Sequence, residues 1–361
     1  MEYYIGLDVS QRQTAICIVD DKGERVKEGK ALTLPCDIHT WIATHVDAVA
    51  IIKVGLEAGA MSAWLYTELT KLGLPMICLE AYQAHLFLKT QRNKTDKNDA
   101  RGLAQMVRMG GAFIRPVTIR AQGNQEVRML ITLRQNLVSH KVALENNITG
   151  SIKPFGLVVP RGNNCVKTFR EKVIVALDKA DERNIAIRSF IMPSLDLYES
   201  VCRQLDLLTK QVRTVANNNP ICRRLMTAPG IGHIVALSYM TAVDQPLRFK
   251  TSEDIGAYFG LTPKLYQSGE TDYEEGISRL GNKLTRQHLV QAATVVLAST
   301  KKWSALRAWG MKIAKKRGFN IARIAVARKL AIILHRMWIN DQDFRWSAQA
   351  AEQGLADKNT A

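Results

Sequence analysis

The pattern of apolar and polar positions divides the chain into an alternating first part and a mostly helical remainder. Apolar stretches at residues 3–9, 14–20 and 24–34, separated by short polar turns, predict three strands joined as hairpins. Residues 49–56 and 75–79 predict two more strands, and helical patterns at residues 37–46 and 61–72 precede them. We expect Asp37 to cap the first of these helices and Gly73 to end the second.

The order of these elements indicates a fold. Three meandering strands followed by strand–helix–strand units are typical of an α/β domain of the RNase-H-like (RuvC-like) type, which we assign to residues 1–115. Acidic residues at the ends of neighbouring strands can share one edge of such a sheet. A helix over residues 96–109 completes this domain.

Beyond residue 115 the pattern is helical. We divide it into a helical coiled-coil or linker region at 116–219, a mostly α-helical domain at 220–340 and a polar tail at 341–361. Apolar residues in a 3-4-3-4-3 spacing predict a coiled-coil seam. They are Tyr198, Val201, Leu205, Leu208, Val212 and Val215. A helical hairpin within one chain and a dimer contact explain this seam equally well.

Charge is distributed unevenly along the 361 residues, whose net charge is +17. Residues 1–100 hold 11 basic and 13 acidic residues, so the remaining 261 residues carry a net charge of +19. Residues 276–340 contain 14 lysines and arginines and no acidic residue. A polyanion such as nucleic acid is the natural partner of that segment, although a solvated basic face has the same composition.

Four acidic residues lie where a metal-dependent nuclease needs them. Asp8 and Glu57 each end an apolar strand pattern, and Asp96 and Asp99 lie three apart at the start of the predicted helix. Carboxylate oxygens are the ligands that Mg²⁺ prefers, and a pair of such ions can stabilise both oxygens of a phosphoryl displacement. Any one of these acids is more commonly a cap or an ion-pair partner, whereas the four together predict a catalytic metal site.

The carboxyl-terminal half offers weaker signals. Pro229-Gly230-Ile231-Gly232 resembles a helix-hairpin-helix turn, whose backbone N–H groups can hold a DNA phosphate, with an ordinary turn between helices as the alternative. A serine beside a glycine at Ser268 could attack a phosphodiester, although such a pair is usually a turn. We also expect nucleic-acid contacts from six basic residues of this half, Arg279, Lys283, Arg286, Lys315, Lys316 and Arg317, and from Lys94 in the first part of the chain.

Several classes of protein are excluded by composition. The six cysteines are scattered without a Cys-x-x-Cys pair, which argues against a zinc site or a disulfide framework. No apolar run is long enough to span a membrane, and a signal peptide pattern is absent. We therefore expect a cytoplasmic protein.

The motifs together resemble the insertion-sequence-110 family of transposases, the guide-RNA-directed DEDD serine recombinases. The similarity lies in Ile5-Gly6-Leu7-Asp8, Gly55-Leu56-Glu57-Ala58, Lys94-Thr95-Asp96-Lys97-Asn98-Asp99-Ala100, the Pro229–Gly232 turn and Phe259-Gly260-Leu261-Thr262-Pro263. In that family a serine followed by glycine, downstream of the Gly-Leu-x-Pro string, is the nucleophile. The matching residue is Ser268, in Gln267-Ser268-Gly269-Glu270 where the family commonly has Ser-Ser-Gly-Gly, and Ser278 is the alternative.

The resemblance implies a complete reaction. Asp8, Glu57, Asp96 and Asp99 would hold Mg²⁺ or Mn²⁺, and Ser268 would attack the DNA phosphate to form a phosphoserine. It further implies a structured guide RNA encoded by the element, and a homo-oligomer, dimer or tetramer, as the active form. A bacterial source and association with the nucleoid when active are expected on the same ground. Two other functions remain open: a junction-resolvase-type nuclease without serine chemistry, and a nucleic-acid-binding protein without catalysis.

Overall fold

The computed structural model describes residues 1–89, 93–114, 116–160, 166–268 and 271–346, and only the backbone of residues 112, 166, 265–268 and 271–275. The chain divides into two units, Met1–Arg120 and Ala121–Ala361. Across the described part, no helix has an apolar stretch long enough to cross a bilayer.

The first unit is a five-stranded mixed sheet with helices on both faces. Its strands are β1 (Tyr3–Val9), β2 (Gln13–Asp20), β3 (Arg25–Leu32), β4 (Ile51–Glu57) and β5 (Met76–Leu79). Its helices are α1 (Pro35–Ala43), α2 (Ser62–Lys71), α3 (Ala81–Leu88) and α4 (Asp96–Met109). The strand order is β3-β2-β1-β4-β5, with β3, β2 and β1 antiparallel and β4 and β5 added in parallel. This confirms the predicted meander followed by strand–helix–strand units.

The two faces of the sheet differ in residue size. Ile5 and Leu7 of β1 are fully buried in a core that includes residues of α1 and α2. On the opposite face β1 carries Gly6, where a Cβ atom would overlap the backbone of Ala100 and Ala104 in α4. The absence of a side chain at Gly6 therefore allows α4 to lie directly on the sheet, above the strands that end in the acidic residues.

Two local predictions in this unit need correction. The first helix begins at Pro35, with Leu34 as N-cap, so Asp37 lies in the first turn and is not the cap. Proline is favoured at the first helical position, because its fixed φ suits the helix and its missing N–H has no partner there. Helix α3 was not predicted, and the side chain of Glu80 caps it by accepting hydrogen bonds from the N–H groups of Tyr82 and Gln83.

The second unit is mostly helical. Its helices are α5 (Gln122–Ile152), α6 (Val166–Glu182), α7 (Arg188–Asn218), α8 (Pro220–Leu225), α9 (His233–Val243), α10 (Asp254–Tyr258), α11 (Lys283–Ala298), α12 (Ala305–Arg317) and α13 (Phe319–Ile339). An antiparallel hairpin of β6 (Pro263–Ser268) and β7 (Thr271–Ile277) interrupts them. The polar sequence of this segment did not indicate strands.

The long helices α5 and α7 pack against each other within the chain. The hydroxyl of Tyr198, which is fully buried, donates to Glu145 at 2.8 Å, and Arg134 Nε donates to Thr209 Oγ1 at 3.1 Å. This is the hairpin alternative for the apolar seam, and pairing of the seam between copies stays a prediction.

Candidate active site

Asp8 and Glu57 lie at the carboxyl ends of two neighbouring parallel strands. The last registered pair between β1 and β4 is Leu7 with Leu56, and each acidic residue follows directly after it. Side chains alternate along a strand, so both carboxylates share the face of Gly6 and Gly55, which α4 covers. Both side chains are half-buried. The sheet thus brings together two residues that are 49 positions apart in sequence.

Helix α4 supplies the other two acids. Thr95 is its N-cap and accepts a hydrogen bond from the N–H of Asn98 at 3.3 Å. Asp96 and Asp99 occupy the first turn, where the positive end of the helix dipole favours carboxylates. Asp99 is half-buried and Asp96 is exposed.

Polar contacts to β3 and to the turn before it fix α4 along its length. Arg101 binds Glu28 through two hydrogen bonds, Nε to Oε2 at 2.7 Å and Nη2 to Oε1 at 2.8 Å. Gln105 Nε2 donates to the carbonyl of Gly23 at 2.7 Å. At the amino end of the helix, Lys30 Nζ donates to Asp96 Oδ2 at 2.7 Å. These contacts determine where the first turn of α4 stands relative to β1.

Asp8 is the most perturbed of the four acids. Burial is the largest cause, raising the pKa of its carboxyl to about 6. Negative charge adds to the shift, in decreasing order from Asp99, Asp96 and Glu57. The positive charge of Lys94 acts in the opposite direction. Three acids therefore lie close enough to Asp8 for their charges to disfavour its ionisation.

The environment of Glu57 is similar. Burial raises the pKa of Glu57, and Asp99 adds to the shift, whereas His85 of α3 and Lys94 lower it. Asp99 thus acts on both strand-end carboxylates. Asp96 behaves differently, because the hydrogen bond from Lys30 lowers its pKa.

These carboxylates fit a divalent cation in chemistry. Added positive charge stabilises the ionised forms of Asp8 and Glu57, whose pKa values the neighbouring acids raise, and oxygen is the ligand that Mg²⁺ and Mn²⁺ prefer. Among the described residues, however, no three acidic, histidine or cysteine side chains are gathered closely enough to hold one ion as they stand. The carboxylate of Asp96 is instead engaged by Lys30.

Both candidate nucleophiles belong to the second unit. Ser268 is the last residue of β6, opposite Thr271 of β7, and its side chain lies outside the described part of the chain, as do residues 269 and 270. Ser278 follows β7 and is half-buried, and its N–H donates to the carbonyl of Thr262 at 2.9 Å.

The Pro-Gly-x-Gly turn joins α8 to α9. Gly230 has φ +75°, and a Cβ atom there would overlap the carbonyl of Ala292 in α11, so both backbone and packing require glycine. Gly232 precedes α9 in an extended conformation, is exposed and provides no side-chain cap. The first N–H groups of α9 therefore have no side-chain cap, and they follow an exposed residue. Both conditions are needed for a contact with a phosphate.

The predicted basic contacts occupy different environments. Arg279 and Lys283 are exposed. Arg286 is half-buried, and its Nη1 donates to the carbonyls of Phe259 at 3.0 Å and Leu280 at 2.7 Å. Part of its donor capacity thus stabilises the segment before α11, and burial lowers its pKa.

The end of α12 carries the densest basic group. Lys315, Lys316 and Arg317 are all exposed in its last turn, where cations complement the helix dipole. Trp303 and Trp309, near the start of this helix and within it, are 52% and 41% exposed. Basic and aromatic side chains on one exposed segment are typical of nucleic-acid surfaces.

Three contributors to the acidic site were not predicted from sequence. Lys30 of β3 pairs with Asp96, Arg101 of α4 orients that helix by binding Glu28 of β3, and His85 acts on Glu57 through its charge. From sequence alone, a lysine on an edge strand is interpreted as a charge that prevents pairing with other strands, and an arginine on a helix as a solvent-exposed residue. Their roles depend on the pairing of β3 with β2, which no local pattern specifies.

Two family models and several curated proteins match the chain. A family model for DEDD transposases of the IS110 type, described as "Transposase", matches residues 5–154, and the model "Transposase IS116/IS110/IS902 family" matches residues 222–308. The chain is 27% identical over 354 residues to the transposase for insertion sequence element IS1111A of Coxiella burnetii, covering 95% of this chain and 92% of that protein.

Two more distant relatives span most of the chain. The transposase for insertion sequence element IS1328 of Yersinia enterocolitica is 26% identical over 281 residues, covering 78% of this chain and 81% of that protein. The pilin gene-inverting protein of Moraxella bovis is 20% identical over 302 residues, covering 81% and 82%.

An acidic α/β domain and a carboxyl-terminal domain that match these two models in this order define a transposase. The chain belongs to the IS110 family of insertion-sequence transposases.

Proposed function

We propose that the chain recombines DNA through a Mg²⁺- or Mn²⁺-dependent centre formed by Asp8, Glu57, Asp96 and Asp99. The observation that supports this most strongly is geometric: Asp8 and Glu57 end adjacent strands on the face that α4 covers, and Asp96 and Asp99 of α4 lie close enough for their charges to raise the pKa of Asp8. Burying mutually repelling carboxylates costs free energy unless a cation offsets the repulsion. A purely structural role would not require all four at one edge of the sheet.

The four carboxylates would ligate the metal from three different elements of the fold. Asp8 and Glu57 supply fixed ligands from the strand ends, while Asp99 and Asp96 supply ligands from a helix that packs on the same face. A bound divalent cation would polarise the scissile phosphate and favour ionisation of an attacking hydroxyl. Lys94, whose charge acts on both Asp8 and Glu57, would contact the DNA backbone beside them.

The proposed nucleophile is Ser268. Its oxygen attacks phosphorus and forms an Oγ–P bond, the bond to the DNA 3′ oxygen breaks, and the serine proton passes to that leaving oxygen. A second 3′ hydroxyl then reverses the step on another strand end, so strands are exchanged without net hydrolysis. The similarity to a protein named for inverting a pilin gene supports exchange over simple cutting.

The second unit would hold the nucleic acid. The segment at residues 276–340, without acidic residues, supplies Arg279, Lys283 and Lys315–Arg317, and the turn at Gly230 and Gly232 supplies backbone N–H groups. We further propose that an element-encoded RNA pairs with the target and donor DNA, and that the active form is a homo-oligomer joined through α5 and α7. Base pairing would then carry most of the sequence recognition.

The test is a cleavage assay on DNA that contains the ends of the element, with RNA transcribed from its flanks. We expect strand cleavage with Mg²⁺ or Mn²⁺, and none with EDTA or with Asp8→Asn or Asp99→Asn. We expect Ser268→Ala to be inactive and Ser278→Ala to remain active. Full cleavage by Ser268→Ala would favour the resolvase-type nuclease, and full activity of both aspartate variants would favour a role without catalysis.

A further inference from the structure

Among the described residues, Lys30 is the basic side chain that pairs directly with a proposed metal ligand. Its Nζ lies 2.7 Å from Asp96 Oδ2. Strand register explains the contact: Asp8 pairs with Ala15 of β2, and Ala15 pairs with Lys30 of β3, so Lys30 lies in the same row as Asp8 on the face covered by α4. The lysine therefore approaches the cluster from the open edge of the sheet.

The ion pair holds Asp96 at the β3 side of the cluster. Asp99, one turn further along α4, raises the pKa of both Asp8 and Glu57, and Asp96 raises the pKa of Asp8. Within the described residues the acids are not gathered for coordination. A divalent cation at the Asp96 carboxylate would lie close to the Lys30 ammonium, and the repulsion between the two positive charges weakens metal binding while the ion pair persists.

We propose that Lys30 is a positioning residue that holds Asp96 as its counter-ion before metal entry and must release it when a divalent cation binds. This inference rests on the proposed metal centre. Lysine suits the role because its ammonium is a point charge on a flexible stem that swings away at small cost, with no fixed two-pronged geometry to break. Both side chains are substantially exposed, 41% for Lys30 and 60% for Asp96, so the competing pair is weak enough for a cation to displace.

The experiment measures Mn²⁺ binding to the full chain without DNA, by electron paramagnetic resonance of the free ion. Lys30→Met should bind Mn²⁺ about two- to fivefold more tightly than the natural chain, the range expected for a surface ion pair. Lys30→Arg, which keeps the charge, should bind no more tightly than the natural chain. Lys71→Met is the matched control, because Lys71 forms an exposed 2.8 Å pair with Glu68 in the same unit and should leave the affinity unchanged.

A double-variant cycle separates competition at Asp96 from a general effect of charge. In an Asp96→Asn background, the gain from Lys30→Met should fall below about twofold, since the ion pair no longer exists. A gain that persists in full there, an equal gain in Lys71→Met, or no gain in Lys30→Met would overturn the role of Lys30. Those results leave the metal centre intact if the natural chain binds Mn²⁺ and Asp8→Asn does not. Failure of the natural chain to bind Mn²⁺ would refute the metal centre and, with it, this inference.

Discussion

Arg101 of α4 and Glu28 of β3 form a two-pronged ion pair, with N–O distances of 2.7 and 2.8 Å. Glu28 pairs in register with Cys17 of β2, which in turn pairs with Gly6 of β1. The pair thus ties the helix that carries Asp96 and Asp99 to the same row of the sheet on which the helix rests. Charge-assisted pairs of this geometry add orientation as well as free energy.

Removal of this tie should affect metal binding more than stability. We expect Arg101→Ala to lower the free energy of unfolding by about 1 kcal/mol, because the pair is partly exposed, and to weaken Mn²⁺ binding severalfold. Arg101→Lys keeps the charge but cannot form the two-pronged contact, so its stability and its Mn²⁺ affinity should lie between those of the natural chain and of Arg101→Ala. Urea denaturation and Mn²⁺ titration measure the two effects. An Arg101→Ala chain with natural Mn²⁺ affinity would show that the pair does not orient α4.

Gly6 tests the packing of α4 directly. Gly6→Ala places a methyl group against the backbone of Ala100 and Ala104, so we expect a loss of about 3 kcal/mol in stability and loss of DNA cleavage. Gly59→Ala is the matched control, since its Cβ would meet only one atom, at an ordinary distance of 3.9 Å. Thermal unfolding of both variants checks the difference. Equal melting temperatures would contradict the close approach at Gly6.

His288 makes the second unit sensitive to pH. Burial lowers its pKa to about 4, the charge of Arg134 adds to the shift, and the side chain is only 4% exposed. Because the folded-state pKa is below that of the unfolded chain, the unfolded state takes up the proton first, and stability falls as pH decreases through about 6.5 towards 4. Between pH 7.5 and 5 this effect amounts to about 2 kcal/mol.

The comparison that isolates His288 is the natural chain against His288→Gln. Urea unfolding at pH 7.5 and pH 5 should show the natural chain losing about 2 kcal/mol more than the variant. Identical losses would show that His288 is protonated without cost in the folded chain.

The basic end of α12 is expected to contact phosphates without reading sequence. Replacing Lys315, Lys316 and Arg317 with glutamine should weaken binding to random duplex DNA and lower the slope of log affinity against log salt by up to about 3. Filter binding at several salt concentrations measures the slope. The matched control replaces the exposed Lys22, Lys71 and Lys210 with glutamine, which removes the same charge from other parts of the surface. An equal change in slope for this control would argue against a specific role for α12.

The sequence indicates this site well where chemistry coincides with regular structure. Asp8 and Glu57 end apolar strands, and Asp96 and Asp99 open a helix with a Thr95 cap, so pattern alone predicts their elements. Adjacency of β1 and β4 is a consequence of topology. The spacing of the elements predicted the meander and the strand–helix–strand units after it, whereas the pairing of β1 with β4 is not specified by the pattern alone.

The parts that sequence did not predict depend on contacts between distant segments. Lys30 and Asp96 are 66 positions apart, and nothing near either residue indicates the partner. The start of α1 was predicted wrongly because the sequence offers two start signals close together. These are Pro35, which suits the first helical position, and Asp37, which suits the cap. The β6–β7 hairpin escaped prediction because its second strand, Thr271-Asp272-Tyr273-Glu274-Glu275-Gly276-Ile277, lacks the apolar alternation of a core strand.

Mass spectrometry of the protein after reaction with element-end DNA, Mg²⁺ and flank-derived RNA is the most direct test of the proposed chemistry. We predict one nucleotide adduct, on the peptide that contains Ser268, which is absent with EDTA and absent in Asp8→Asn and Asp99→Asn chains. Cleaved DNA without any protein adduct, or an adduct that forms equally well without the acidic residues, would contradict a metal centre that acts together with this serine.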